Sequence, residues 1–334
     1  MKLNYNQIIN SRIDTLNLRF YKTTILKIFH SIETFHSHKK TIVTIGTFDG
    51  VHLGHQKIIE RLLYNATNSN CESLILTFFP HPRMVLQEES EIKLLNTIDE
   101  RANLLEKSGL DNLIIHPFDK TFSKLSAEEF VKDILVDQLN ISKIVIGHDH
   151  RFGRNRTANI DDLIVFGLKY GFEVEQISAQ EIQDVSISST KIRLALEDGK
   201  ILLANEYLGY SYFLTGNVQK GKQLGRTIGF PTANLKIEES YKLIPKSGVY
   251  IVKSILKNEM VFGIMNIGTN PTVDGKDLSI EIYYLNYESD LYAQKIMVSI
   301  LDYIRPEQKF DSVVILKQQL ERDTATAIAY INNL

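Results

Sequence analysis

Two histidines three residues apart, His52 and His55, close a glycine-punctuated stretch that runs from Gly46 through Thr47, Phe48, Asp49 and Gly50 to Gly54. At a helix start, imidazoles at that spacing lie on one side and can donate to the oxygens of one phosphate. The N–H groups of such a turn and the positive end of the helix dipole favour an anion at the same spot. A second group has related chemistry: Ser188, Ser189, Thr190 and Arg193 combine hydroxyls, a helix start and a planar guanidinium, which suits a leaving pyrophosphate. A third set is Gly216, Gly221, Lys222, Gly225 and Gly229, followed by Thr232 and Asn234. Its glycines let backbone wrap phosphates closely. Thr232 and Asn234, two apart on one strand, are oxygen donors suited to Mg²⁺. The spacing from Gly216 to Lys222 approaches a P-loop, but Gln223 replaces the metal-binding hydroxyl and no helix is expected to follow, so that reading is excluded. Glu281 stands among apolar residues of 278–283, where alternation makes it either a solvent-facing acid or a functional carboxylate. Each group has an ordinary reading too: a tight βα turn, a serine-capped helix, a Gly-rich hairpin.

The elements that must position these groups follow from periodicity. The β-branched run 41–45 predicts a strand buried on both faces. In 55–66, Ile58, Ile59, Leu62, Leu63 and Ala66 mark a helix face. Strands are expected at 73–78, 113–116, 143–147 and 172–177. Helices are expected at 98–107, stopping at Gly109, and at 161–170, closed by Gly171. Ser126 and Glu129 form a capping-box pattern opening a helix through Leu139, with Phe130, Val131, Ile134 and Leu135 inward. Repeated alternation of this kind implies an α/β domain, a mostly parallel sheet with helices on both faces. Ligands then lie at the carboxyl ends of strands, which puts His55, His81, Arg83, Asp149 and Arg151 on one rim. Residues 194–210 read as one helix. From Tyr212 the pattern changes to alternating runs at 212–219, 248–256, 260–267, 278–286 and 294–304, which predicts a small antiparallel barrel. A helix over 311–332 has Val314, Leu316, Leu320, Ala325 and Ile328 available for packing. The expected organisation is an extension without assigned function over 1–26, a first domain over 27–208 and a second over 209–334.

Composition narrows the partners. Over 334 residues the formal net charge is −2, with 43% hydrophobic and 23% charged residues. That balance argues against a nucleic-acid partner, which calls for a basic excess. No apolar run reaches membrane-spanning length, and residues 1–24 carry no continuous apolar segment of a secretory signal. The single cysteine, Cys71, excludes an internal disulfide and any Cys-cluster metal site, and fits a cytoplasmic protein.

The run Phe48-Asp49-Gly50-Val51-His52-Leu53-Gly54-His55 resembles the HxGH signature of the nucleotidyltransferase superfamily. In its longer form it resembles the prokaryotic bifunctional riboflavin kinase/FMN adenylyltransferases (FAD synthetases). Ser188–Arg193 resembles the SSTxIR motif of that family, and Gly225–Leu235 its GRxxGFPTANL run. Ser289-Asp290-Leu291-Tyr292 and Ile304-Arg305-Pro306-Glu307 also match. Four positions depart: Thr47 where the family usually has Asn, Tyr283 where it often has His, Asn286 where it often has Asp, and Ala293 where others have Gly. The resemblance covers roughly 27–334. It implies a Rossmann-like nucleotidyltransferase domain followed by a riboflavin kinase-like barrel. The implied partners are small molecules: riboflavin, FMN and ATP.

The implied chemistry is phosphorylation of riboflavin by ATP, with Glu281 as general base, then adenylyl transfer from a second ATP to FMN, giving FAD and pyrophosphate. His52, His55 and Arg193 would be catalytic in the second step. Mg²⁺ would be held by Thr232 and Asn234, with Asp49 and Asp149 as outer ligands in the other half. Flavin contacts would fall to His81, Arg83, Asp149 and Arg305. Three other readings stay open. A sister nucleotidyltransferase for another phosphate monoester leaves 216–235 unexplained. An aminoacyl-tRNA synthetase shares an HxGH-like stretch but needs a tRNA-binding surface. A flavin- or nucleotide-binding regulator with one inactive half is kept open by the departures at Thr47, Tyr283 and Asn286.

Overall fold

A computed structural model describes residues 25–87, 91–147, 151–178, 187–221, 224–272 and 275–334. The extension over 1–24, Asp149 and Lys222 lie outside the described residues. The chain forms two compact units that interleave along the sequence. The first takes the chain up to Gly46 with Ile59–Phe79 and Ala102–Gln176. The second takes Thr47–Ile58, Pro80–Arg101 and Ile177–Leu334.

The first unit is built on a six-stranded sheet of β1 (Lys27–Phe29), β2 (Thr41–Ile45), β3 (Glu72–Phe78), β4 (Asn112–His116), β5 (Ile141–Gly147) and β6 (Glu173–Ile177), in the order β1-β4-β3-β2-β5-β6. The pairings of β1 with β4, β3 with β4, and β2 with both β3 and β5 are parallel. Every residue of β2 is buried, as its unbroken β-branched run requires at the centre of such a sheet. Val43, Leu74, Leu76, Ile114 and Ile144 form the core with Phe130, Val131 and Leu135. The capping box is present: Ser126 Oγ accepts from Glu129 N at 3.2 Å, and the Glu129 carboxylate accepts from Ser126 N at 2.8 Å. Beyond it the helix runs Phe130–Gln138 with wider π turns, and Leu139 N bonds Ile134 O at 2.8 Å. Gly171, at φ +79, caps the helix Ile160–Tyr170 in the left-handed conformation expected of a C-terminal glycine. The short edge strand β1 carries no periodic signal and was not anticipated.

The second unit contains a closed antiparallel barrel of β7 (Phe213–Gln219), β8 (Ala233–Lys236), β9 (Gly248–Leu256), β10 (Glu259–Thr272), β11 (Gly275–Tyr284) and β12 (Lys295–Arg305), in the order β10-β11-β8-β7-β12-β9. Leu214, Val252, Met265, Ile280, Ile282, Val298 and Ile300 fill it. The expected single helix over 194–210 is corrected. Ser189–Glu197 is one helix and Ile201–Leu208 another. Gly199, at φ +79, turns the chain between them, and Lys200 N bonds back to Ala195 O at 2.8 Å. This is the glycine closure that ends helices, and the periodic apolar residues on either side hide it. The terminal helix Val313–Asn332 is present, but its buried positions are Asp323 and Ala327, while Val314 and Ile328 are exposed. Arg305 at the end of β12 grips Asp323 through Nε at 2.9 Å and Nη2 at 2.7 Å, and Ala327 packs with Val249, Ile251, Ile264 and Leu301, so an ion pair and an apolar contact share this face.

Candidate active sites

The histidine turn belongs to the second unit. It leaves ordinary backbone space at three positions: Phe48 at φ +47, Gly50 at φ +88 and Val51 at φ +36. For β-branched Val51 this is a costly conformation that surrounding contacts must hold. They are numerous. The buried Asp49 carboxylate accepts from Leu95 N at 2.9 Å and Asn96 N at 3.4 Å, and pairs with Arg193 and, at 3.6 Å, with Arg101. Ser189 Oγ donates to Asp49 O at 2.9 Å, and Tyr210 Oη donates to Gly50 O at 2.7 Å. Gln56 Nε2 ties Val51 O to Leu208 O, both at 3.0 Å. At Gly50 the φ of +88 would strain any side chain, and a Cβ would also sit 2.6 Å from Leu95 Cδ1.

On this turn the rings of His52 and His55 stack at 3.7 Å and 18°. His55 N donates to His52 Nδ1 at 3.4 Å, which places the proton of neutral His52 on Nε2. Burial pushes the His52 pKa down from 6.5 to about 4; Asp49 opposes this and Arg193 adds to it. His55 is held well below 6.5 by burial, then by His52 and Arg101. Both are therefore neutral donors near pH 7. His55 Nδ1 is buried and has no hydrogen-bond partner among the described residues. His81 caps the short helix Pro82–Leu86, its Nδ1 accepting from Arg83 N at 3.1 Å. Its pKa is also lowered to about 4 by burial, against Asp49 and with the help of Arg101, Arg193 and Arg83. Arg83 is exposed.

Ser188 caps Ser189–Glu197, accepting from Lys191 N at 3.3 Å, and Thr190 is exposed. Arg193 is anchored twice, to Asp49 and through Nε to Lys93 O at 2.7 Å. Of the glycine set, Gly46 N joins the sheet ladder by donating to Leu76 O at 3.1 Å. Gly54 lies in the helix Leu53–Asn68, and Thr47 is half-buried.

A separate cluster lies on the barrel wall. Ile280, Ile282 and Tyr284 of β11 point inward, which turns Glu281 and Ser279 to the outer face. Glu281 pairs with Asn234 of β8 on one side and Asn266 of β10 on the other. Thr232 Oγ1 donates to Glu281 Oε2 and Ser279 Oγ to Oε1, both at 3.1 Å. Thr232, Asn234 and Glu281 are thus gathered in one place. Thr232 stands just before β8 rather than within it. A hydroxyl just before β8, an amide oxygen on β8 and a carboxylate on β11 form an oxygen donor set that fits Mg²⁺ held largely by nucleotide phosphates. No cluster of three or more His, Cys, Asp or Glu that could cage a metal occurs among the described residues.

Gly221 has a steric role here, since a Cβ would fall 2.2 Å from Asn234 Nδ2. Gly216 and Gly225 likewise make room for Lys236 O at 2.4 Å and Phe230 O at 2.2 Å, and Gly229 turns at φ +88. Arg305 is engaged by Asp323 rather than by this cluster. Tyr283 packs edge-on against Phe230 at 5.0 Å. Asn286 and Ala293 are turn residues at φ +54 and +60, the region where Asn and Gly are easiest.

Sequence reading passed over Glu100, Arg101 and Lys242. Lys242 and Glu100 form an ion pair at 2.6 Å with side chains 0% and 2% exposed, too deep for the ordinary solvated pair. A signal was present for Arg101: it shares the spacing of Ile98, Ala102 and Leu105 on the apolar helix face. Lys242 lies in a loop whose burial no periodicity reports.

Family models for FAD synthetase and riboflavin kinase match residues 34–191 and 208–331. The chain is 38% identical over 298 residues to the bifunctional riboflavin kinase/FMN adenylyltransferase of Listeria monocytogenes, covering 88% of this chain and 93% of that one. It is 36% identical over 287 residues to the protein of the same name from Escherichia coli K12, covering 86% and 91%. A solved structure described as a macrolide-efflux protein from Streptococcus pneumoniae superposes with a TM-score of 0.83 at 30% identity, over 91% of this chain and 98% of that one. Among the described residues here, no helix is long and apolar enough to cross a membrane.

Proposed function

Because this chain belongs to the family of bifunctional riboflavin kinase/FMN adenylyltransferases, we propose that its two reactions divide between the two clusters above. The enzyme phosphorylates riboflavin to FMN and adenylylates FMN to FAD. We place adenylyl transfer in 27–208 and the kinase in 209–334, and give 1–26 no role. Cytoplasmic operation is part of the proposal, supported by the free thiol of Cys71.

In adenylyl transfer an FMN phosphate oxygen attacks the α-phosphorus of ATP in line, the bond to the bridging oxygen breaks, and pyrophosphate leaves. His52 and His55, neutral, donate to the phosphate oxygens as charge develops. The turn holds them ready, so little reorganisation is needed during reaction. Arg193 with Ser188, Ser189 and Thr190 holds the pyrophosphate. The buried Asp49 orients Arg193 and the turn. His81 and Arg83 supply the flavin side.

In the kinase, Glu281 takes the proton of the ribityl 5′-hydroxyl as that oxygen attacks the γ-phosphorus, and ADP leaves. Thr232 and Asn234 would hold Mg²⁺, which when bound neutralises charge on the ATP phosphates.

The observation carrying the adenylyl assignment is the stacked, neutral imidazole pair on a backbone turn held by so many partners. The test is His52→Ala and His55→Ala. Each should lower FAD formation from FMN by about 10²–10³, while FMN accumulates from riboflavin. Normal FAD production by the double variant would end the assignment.

A further inference from the structure

Lys242 lies in the loop between β8 and β9, in the sequence that follows the kinase motif, yet its contacts lead to the histidine turn. Its ammonium is buried and donates to Leu95 O and to Glu100 Oε2, both at 2.6 Å, above the ring of Tyr212 at 4.5 Å. The backbone beside it pairs with the same segment: Leu94 N donates to Tyr241 O at 2.7 Å, and Leu243 N to Leu94 O at 2.8 Å. Glu100 in turn accepts from Thr215 N of β7 at 3.0 Å and from Thr97 N at 3.0 Å. Segment 94–101 is therefore clamped from one side by barrel-derived groups. From its other side it supplies Leu95 N, Asn96 N and the Arg101 guanidinium to the Asp49 carboxylate, and Leu95 Cδ1 packs beside Gly50.

We propose that Lys242 is a positioning residue for adenylyl transfer: through Leu95 O and Glu100 it sets the 94–101 segment that holds Asp49, and so the turn carrying His52 and His55. The inference rests on assigning adenylyl transfer to that turn. It makes the second reaction depend on a residue of the kinase sequence without contact between Lys242 and the reacting groups. A displaced catalytic pair loses rate steeply even when the change is remote. None of Leu95, Glu100 and Tyr212 belongs to the Glu281 cluster, so the kinase reaction should not feel the change.

Lys242→Met alone would strand a buried carboxylate. The informative variant is Glu100→Gln with Lys242→Met, which buries no net charge and leaves an acceptor for Thr215 N. Measured with supplied FMN and ATP, its kcat for FAD formation should fall about 10- to 100-fold. KM for FMN should hold within about twofold, because groups that bind substrate stay while reacting groups shift. Riboflavin phosphorylation by the same preparation should stay within about twofold of wild type, since its groups are untouched. Unchanged FAD formation would overturn the proposal, and so would parallel loss of both reactions, which marks a purely structural pair. His52→Ala is run beside it. If that variant also makes FAD normally, the site assignment itself has failed; if only the Lys242 variant does, the positioning role alone has failed.

Discussion

Three histidines share one electrostatic property at the residue scale. His52, His55 and His81 are all kept neutral mainly by burial, not by a charged partner. Proton linkage then has a definite sign. With an unfolded value of 6.5 and a folded value of about 4, the unfolded chain binds the proton more readily. The stabilising contribution is complete above pH 6.5 and is lost as pH falls toward 4, up to about 3 kcal/mol for one such histidine. His81→Asn preserves an N-cap acceptor while removing the titration. The urea midpoint of this variant should fall less steeply between pH 6.5 and 4 than that of wild type. Parallel curves would mean that His81 does not carry the shift.

At the scale of elements, the proposed kinase cluster depends on how closely strands and loops approach. Asn234 on β8 meets Glu281 on β11 by register, and the loop before β8 must pass directly over its amide at Gly221. Gly221→Ala would drive a methyl into that amide. Asn234 would have to leave its place beside Glu281. FMN formation should drop about tenfold or more, as expected when a reacting or metal-holding group is displaced, and excess Mg²⁺ should restore part of it. Wild-type kinetics in this variant would show that Asn234 can move without consequence. The terminal helix illustrates the same dependence, because the Arg305–Asp323 pair and the packing of Ala327 lie on its buried face where hydropathy alone pointed to other residues.

For the whole molecule, the proposed assignment has the two reactions share a chain but not a set of reacting groups. Glu281→Gln keeps size and strand position while removing the proposed base. It should reduce FMN formation from riboflavin by about 10²–10⁴, and FAD formation from supplied FMN should stay close to wild type. Loss of the second reaction in folded protein would mean the two sites are coupled through Glu281. With Lys242 as a positioning residue, the dependence is expected to run through the 94–101 segment instead.

The sequence by itself determined the two-part architecture, the parallel sheet, the barrel and the residues most suited to phosphate chemistry. These are local facts: β-branched runs, helix periodicity, capping patterns, and donor groups two or three residues apart. The break at Gly199 does not show in it, because the apolar period continues across that glycine. What tertiary structure decided is how those groups are held. Asp49 looked like a ligand and is a buried anchor for four protein groups. Arg305 looked like a contact and is committed to Asp323. Lys242 and Glu100, which no sequence pattern singles out, form a buried pair. Burial and charge pairing depend on residues far apart in the chain, and no short window of sequence contains both partners.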